Sequence, residues 1–258
     1  MTPSSLMRTT RMVLLAGVAA LVLAGCATNR TAAFNADYSN LSGPQIQASV
    51  ADLAQRYAAN PRDKSLGIHY AAALRAAQQN DQAVIVLENL MGTYGGDADV
   101  GLAYGKALSA AGRFEQALRV VDNATNPVAP DWEALSVRGA ILDQMGQHEQ
   151  ARQSYRQALL LAPQASQLHA NLGLSYAMTG ELQAAEAHLR QAMSLPGANA
   201  RTSQNLALVL GLQGRFAEAR LLYAAVLPAE AVEPTMDYIR ALLTQQNRWQ
   251  QIEGDTPA

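Results

Sequence analysis

The chain has a single cysteine, Cys26, so no internal disulfide can form and sites built from several thiolates are excluded. Aromatic residues are scarce, 5% of 258 residues, although 49% of the chain is hydrophobic and much of that is alanine. Alanine loses no rotamer entropy in a helix and lets backbones approach closely, so such a core is expected to be helix against helix. An excess of one charge is also missing. The net charge is −2, which offers no basic field to phosphates, and nucleic acid is not an expected partner. No apolar run reaches the roughly 20 residues that a membrane-spanning helix needs. The longest runs only from Met12 to Gly25.

Catalytic signatures are missing too. The four histidines, at 69, 148, 169 and 188, show no H-E-x-x-H spacing, and no G-x-S-x-G elbow occurs. Gly101, Gly105 and Lys106 form a P-loop fragment one residue short, without the Ser or Thr that would hold magnesium. No enzyme, metal, cofactor or small-molecule substrate is expected.

The first segment reads as an address. Arg8 and Arg11 precede the short apolar run, with no acidic residue before Cys26. Residues 1–25 are therefore expected to be a secretory signal peptide. The sequence Leu23-Ala24-Gly25-Cys26 resembles the lipobox of bacterial lipoproteins, which implies lipidation of Cys26 after cleavage. One acyl chain holds a protein only weakly; the resemblance implies three. Ala27, where an aspartate would favour retention at the inner membrane, implies the periplasmic face of the outer membrane. Losing Arg8 and Arg11 takes the mature net charge from −2 to −4. Residues 26–43, rich in Thr, Asn, Ser and Ala, are expected to be a flexible tether.

Beyond the tether the sequence repeats itself. Gly112, Gly146, Gly180 and Gly214 recur at one constant interval, and an alanine follows each at the same offset: Ala117, Ala151, Ala185 and Ala219. A small residue precedes each glycine at a second fixed offset, as Gly105, Gly139, Gly173 or Ala207. This period predicts antiparallel helix pairs. The two small columns mark where paired helices cross most closely, and the glycine closes the first helix in a left-handed conformation. Prolines 127, 163, 196 and 228 end the second helices. Backwards, the register puts Gln78 in the glycine column and Ala83 in the alanine column, although Ala83 to Leu87 alone could pass for a strand. About five repeats are expected between residues 44 and 253. Cap helices are expected at 44–60 and 234–246, and a disordered tail over 254–258.

Residues 132–163 carry Leu135, Gly139, Leu142, Gly146, Ala151, Tyr155, Ala158 and Pro163, and this pattern resembles the tetratricopeptide repeat, W-x2-L-G-x2-Y…A-x3-F…P. The interval between the glycines agrees with that family's unit of about 34 residues. The resemblance implies an all-α, right-handed superhelix whose first helices line a concave groove that binds protein. In this register Asn171 and Asn205 share one groove column. A carboxamide both donates and accepts, so stacked asparagines can grip a peptide backbone, or can simply satisfy a neighbouring loop. Leu174 and Met178 align with Leu208 and Leu212 as an apolar groove floor, unless they pack between helices. Earlier repeats place Lys106, Ser109, Glu133, Asp143 and Gln144 there.

The segments NLGLSYAMTGELQAAEAHLRQA and RTSQNLALVLGLQGRFAEA, with Trp249 after YIRALLTQQNR, are similar to TadD-type lipoproteins of the tight-adherence (Flp pilus) system. That likeness implies an outer-membrane adaptor whose partner is a secretin or another pilus assembly component. A general periplasmic scaffold that recruits peptidoglycan hydrolases or proteases is the alternative.

Overall fold

The computed structural model describes Tyr38 and residues 41–254, with side chains to residue 244. Cys26, the expected signal peptide and nearly all of the expected tether lie outside the described residues. Twelve helices and no strand occur among the described residues, in two compact units that divide between Ala111 and Gly112.

The first unit holds α1 (Gly43–Ala59), α2 (Lys64–Ala76), α3 (Asn80–Tyr94) and α4 (Ala98–Ala110), each packed against the next. Helix α1 begins one residue earlier than expected. The Gln45 side chain accepts from the Ser42 backbone N–H at 2.8 Å and Pro44 occupies the first turn, so the end of the expected tether is already a helix cap. Tyr38, also within that tether, is half-buried with its ring centroid 6.1 Å from that of His69. The stretch with strand-like composition, Ala83 to Leu87, is helical and mostly buried.

The second unit holds α5 (Phe114–Ala124), α6 (Trp132–Gln144), α7 (His148–Leu161), α8 (Ser166–Met178), α9 (Leu182–Ser194), α10 (Ala200–Leu212), α11 (Phe216–Val226) and α12 (Ala229–Gly254). Helix α12 departs from expectation at both ends. It starts at Ala229, ahead of Pro234, which sits inside it, and it includes Gly254, the first residue of the expected tail. Proline is tolerated in a first turn, whose N–H groups have no intrahelical partner. Here the ring lies just beyond that turn.

Two kinds of helix start recur along the chain, and α8, preceded by Ala165, is a first helix that lacks a side-chain cap. First helices α2, α4, α6 and α10 follow looser connections and are capped by side chains: Asp63 accepts from Leu66 N at 2.9 Å and Asn199 from Thr202 N at 3.1 Å. Second helices α3, α5, α7, α9 and α11 have no side-chain cap. The tight turn before them does the work. Gly146, Gly180 and Gly214 adopt φ of 74°, 78° and 81°, and the next N–H reaches back to the first helix, as Gln147 N does to Leu142 O at 2.9 Å. Gln78 adopts φ 61° in the same column and Gln79 N donates to Leu74 O at 2.8 Å. A glutamine therefore holds the left-handed position where the period demands it, at a steric cost that glycine avoids.

The small columns lie at the helix crossings. Ala117, Ala151, Ala185 and Ala219 have no exposed surface. A Cβ added at Gly139 would come within 2.6 Å of the Tyr155 ring, and at Gly173 within 2.8 Å of Leu189. Pro127, Pro163, Pro196 and Pro228 each closely follow the end of a second helix.

Candidate functional site

In the second unit α7, α9 and α11 each pack against the first helices before and after them, while the first helices α6, α8, α10 and α12 also touch one another in succession. First helices therefore form one continuous layer, whose free face is the candidate site. On that face Met178 is 53% exposed and Leu174, Leu208 and Leu212 are half-buried. Leu208 also leans on the core cluster around Leu206 and Leu210, so it contributes an edge of its surface and the rest is interior.

The two asparagines do different things. Asn171 Nδ2 donates to Ser136 Oγ at 3.2 Å, which ties α8 to α6 and leaves its carbonyl and one N–H for a ligand. Asn205 is half-buried and makes no hydrogen bond among the described residues, so its whole carboxamide is open. A neighbour thus engages one asparagine of the pair and not the other.

The face continues onto α12. Tyr238 is 63% exposed and Leu242 half-buried, and they stand one repeat unit after Gln204 and Leu208. The register could have found both, but they fall where the glycine column has given way to Arg248. Asp143, by contrast, does not face the groove. It is 7% exposed, and its carboxylate accepts from His148 Nδ1 at 2.9 Å, Ser175 Oγ at 2.8 Å and Tyr155 OH at 3.1 Å. It is a buried hub joining α6, α7 and α8. Burial, and then the nearby Asp143 carboxylate, push the Tyr155 phenol far above its ordinary range, so it remains a donor. The groove columns of α8, α10 and α12 present leucine, methionine, tyrosine and carboxamides and no charge. Such a surface offers apolar area for burial and carboxamides for hydrogen bonding.

Behind the groove a ring stack joins three helices. The Arg152 guanidinium lies 4.8 Å from the Tyr176 ring centroid, Tyr176 stacks on His188 at 5.5 Å, and His188 on His169 at 5.9 Å. Arg156 donates to Tyr176 OH at 2.9 Å. His169 Nε2 meets Pro163 O at 3.2 Å while its Nδ1 is buried without a partner. Desolvation, then His169 and Arg156, hold the His188 pKa below its usual value.

Two ion pairs link successive second helices in the same positions with opposite polarity. Arg152 meets Glu181 at 3.1 Å, and one repeat later Glu186 meets Arg215 at 2.6 Å. Glu186 is partly desolvated, which would raise its pKa, but hydrogen bonds from Arg215 and Arg190 outweigh this and hold it below the usual carboxylate range.

A TPR repeat model matches residues 139–180, and a tetratricopeptide repeat model matches residues 98–123 and 203–224. The fold is that of tetratricopeptide-repeat proteins. Among solved structures, a thermophilic TPR protein of Thermus thermophilus aligns with TM-score 0.61 and 22% identity, over 68% of this chain and 97% of that one. A tetratricopeptide repeat protein from Parabacteroides merdae aligns with TM-score 0.64 and 10% identity, over 76% and 78%. PilW, a widely conserved type IV pilus biogenesis factor, aligns with TM-score 0.58 and 18% identity, over 78% and 92%. None of the curated proteins matches the chain. Neither family model is that of an enzyme. Among the described residues no group of three or more His, Cys, Asp or Glu could hold a metal, and no helix is long and apolar enough to cross a membrane. Tetratricopeptide repeats bind protein partners.

Proposed function

We propose that the chain is a non-catalytic adaptor, held by lipid on Cys26 at the periplasmic face of the outer membrane, that binds a pilus assembly component. The partner is an outer-membrane secretin or a neighbouring component of an Flp-type pilus machine. The observation that carries the binding role is the uncharged, partly exposed row of Leu174, Met178, Leu208, Leu212, Tyr238 and Leu242 beside the unpaired carboxamide of Asn205. Burying such side chains contributes about 25 cal/mol per Å² of apolar surface, and asparagine supplies the backbone hydrogen bonds that orient an extended segment. The location rests on Arg8, Arg11 and the Leu23-to-Cys26 sequence. The choice of partner rests on the C-terminal resemblance, and it is in keeping with the fold shared with a pilus biogenesis factor.

The test is deletion in the native bacterium, followed by complementation with the full chain or with Cys26→Ser. Loss of heat-stable secretin multimers and surface pili, restored by the first and not the second, is the expected result. Unchanged multimers and pili after deletion would remove the pilus role.

A further inference from the structure

The positions that build the Asp143 hub recur two repeats earlier, in the first unit, with a different filling. Arg75 stands for Asp143, Asn80 for His148, Leu87 for Tyr155 and Ala107 for Ser175. In the later repeat the first two side chains meet at 2.9 Å across the turn. In the earlier one both are left open. Arg75 Nε and Asn80 Oδ1 are each buried without a hydrogen-bond partner. They are two of only four such atoms among the described residues. Leu87 and Ala107, with 1% and no exposed surface, offer neither a donor nor an acceptor.

Native structures rarely leave a donor and an acceptor sealed at one turn. Each lost bond costs about 1–3 kcal/mol, and such pairs ordinarily mark a bound water or ion. Direct pairing is hindered because Asn80 is already fixed, its Nδ2 donating to Ala110 O at 2.8 Å. The occupant must accept from the Arg75 N–H and donate to the Asn80 carbonyl. A carboxylate, a chloride ion or a metal cation cannot do both; a hydroxylic oxygen can. Both atoms are sealed from solvent, which selects the smallest ligand of that kind.

We propose that an ordered water molecule bridges Arg75 Nε and Asn80 Oδ1 as an integral part of the first repeat. Desolvation without a neighbouring carboxylate holds the Arg75 guanidinium below its usual pKa, which fits a site where water is the compensating dipole. The fourth repeat fills the equivalent position with apolar side chains, Ala177, Leu182, Leu189 and Val209. The polar notch is therefore particular to its repeat and not a requirement of the fold.

The test combines a crystal structure of the mature chain with thermal melts of Arg75→Met, Asn80→Leu and the double variant. The structure should show one density peak within hydrogen-bond distance of both atoms. Each single change should lower the melting temperature by about 3–6 °C, because it strands the other group. Asn80→Leu should cost clearly less in the Arg75→Met background than alone. Purely additive shifts, or Arg75 Nε found bonded to a protein oxygen with no density between, would overturn the proposal.

Discussion

Asp143 and Ala177 hold the same position in neighbouring repeats, yet their surroundings are opposites. Around Asp143 are His148, Tyr155 and Ser175, all bonded to its carboxylate; around Ala177 are Leu182, Leu189 and Val209, with nothing to bond. The helices meet in the same way in both. The backbone period is therefore set by the small columns and the left-handed turns, and the space beneath each turn accepts polar or apolar filling provided the filling is complete. The same lesson comes from the junctions between second helices, where Arg152 to Glu181 becomes Glu186 to Arg215. Position is retained and polarity is not.

The largest effect expected is from leaving that filling incomplete. Asp143→Ala strands two buried donors, Tyr155 and Ser175, and frees the partly exposed His148, and should cost about 3 kcal/mol in urea denaturation. Changing the whole set at once to its neighbour's residues (Asp143→Ala, His148→Leu, Tyr155→Leu, Ser175→Val) should recover most of that loss. If the fourfold variant is no more stable than Asp143→Ala, the two fillings are not equivalent.

Next comes the crossing that both repeats share. Gly139→Val forces a side chain into the Tyr155 ring and should cost about 1–3 kcal/mol. Adding Tyr155→Leu should relieve part of this, as measured by the midpoint of the same transition. Additive losses would place the strain elsewhere.

The swapped ion pair sharpens the comparison further. The Arg152 side chain is only 10% exposed, so Arg152→Glu opposite Glu181 should lose about 2 kcal/mol. Combining it with Glu181→Arg should return much of the loss, because the next junction already works in that polarity. The Tyr176 stacking of Arg152 and its bond to Glu149 would stay lost, so recovery is expected to be incomplete.

A smaller effect concerns pH. The folded pKa of His188 is held below the unfolded value of about 6.5 by burial first, then by His169 and Arg156. A group depressed in this way contributes stability that is present above the unfolded value and lost as pH falls below it. Thermal melts should decline from about pH 6.5 downward, and His188→Gln should flatten part of that decline. His69, depressed by burial and by Arg56, accounts for a further part. A variant with the parent's full acid dependence would exclude the stack as its source.

Much of this was legible in the residues. The fixed spacing of Gly112, Gly146, Gly180 and Gly214 and of their alanines marks the helix pairs, because crossings and tight turns admit few residue types. Gln78 was found only through that register, as glutamine carries no turn signal of its own. The Asp143 hub was not legible. Its members change identity from repeat to repeat, so they leave no column, and Asp143 reads as a solvated groove residue when it is buried. The extension of the groove to Tyr238 and Leu242 was obscured for a related reason: α12 runs through Pro234, and Arg248 stands where the glycine column would mark the register. Asn171 and Asn205 look alike in sequence, and only Ser136 on α6, the partner of Asn171, separates their roles.

The proposed partner-binding surface is the uncharged face of α8, α10 and α12. The most direct measurement is binding of purified secretin to the mature chain and to a variant carrying Met178→Glu and Tyr238→Glu. Both side chains are more than half exposed, so stability should change by no more than about 0.5 kcal/mol for each. At least a tenfold loss of affinity is expected, with the melting temperature nearly unchanged. Equal affinity for the two proteins would contradict it and move the binding surface elsewhere.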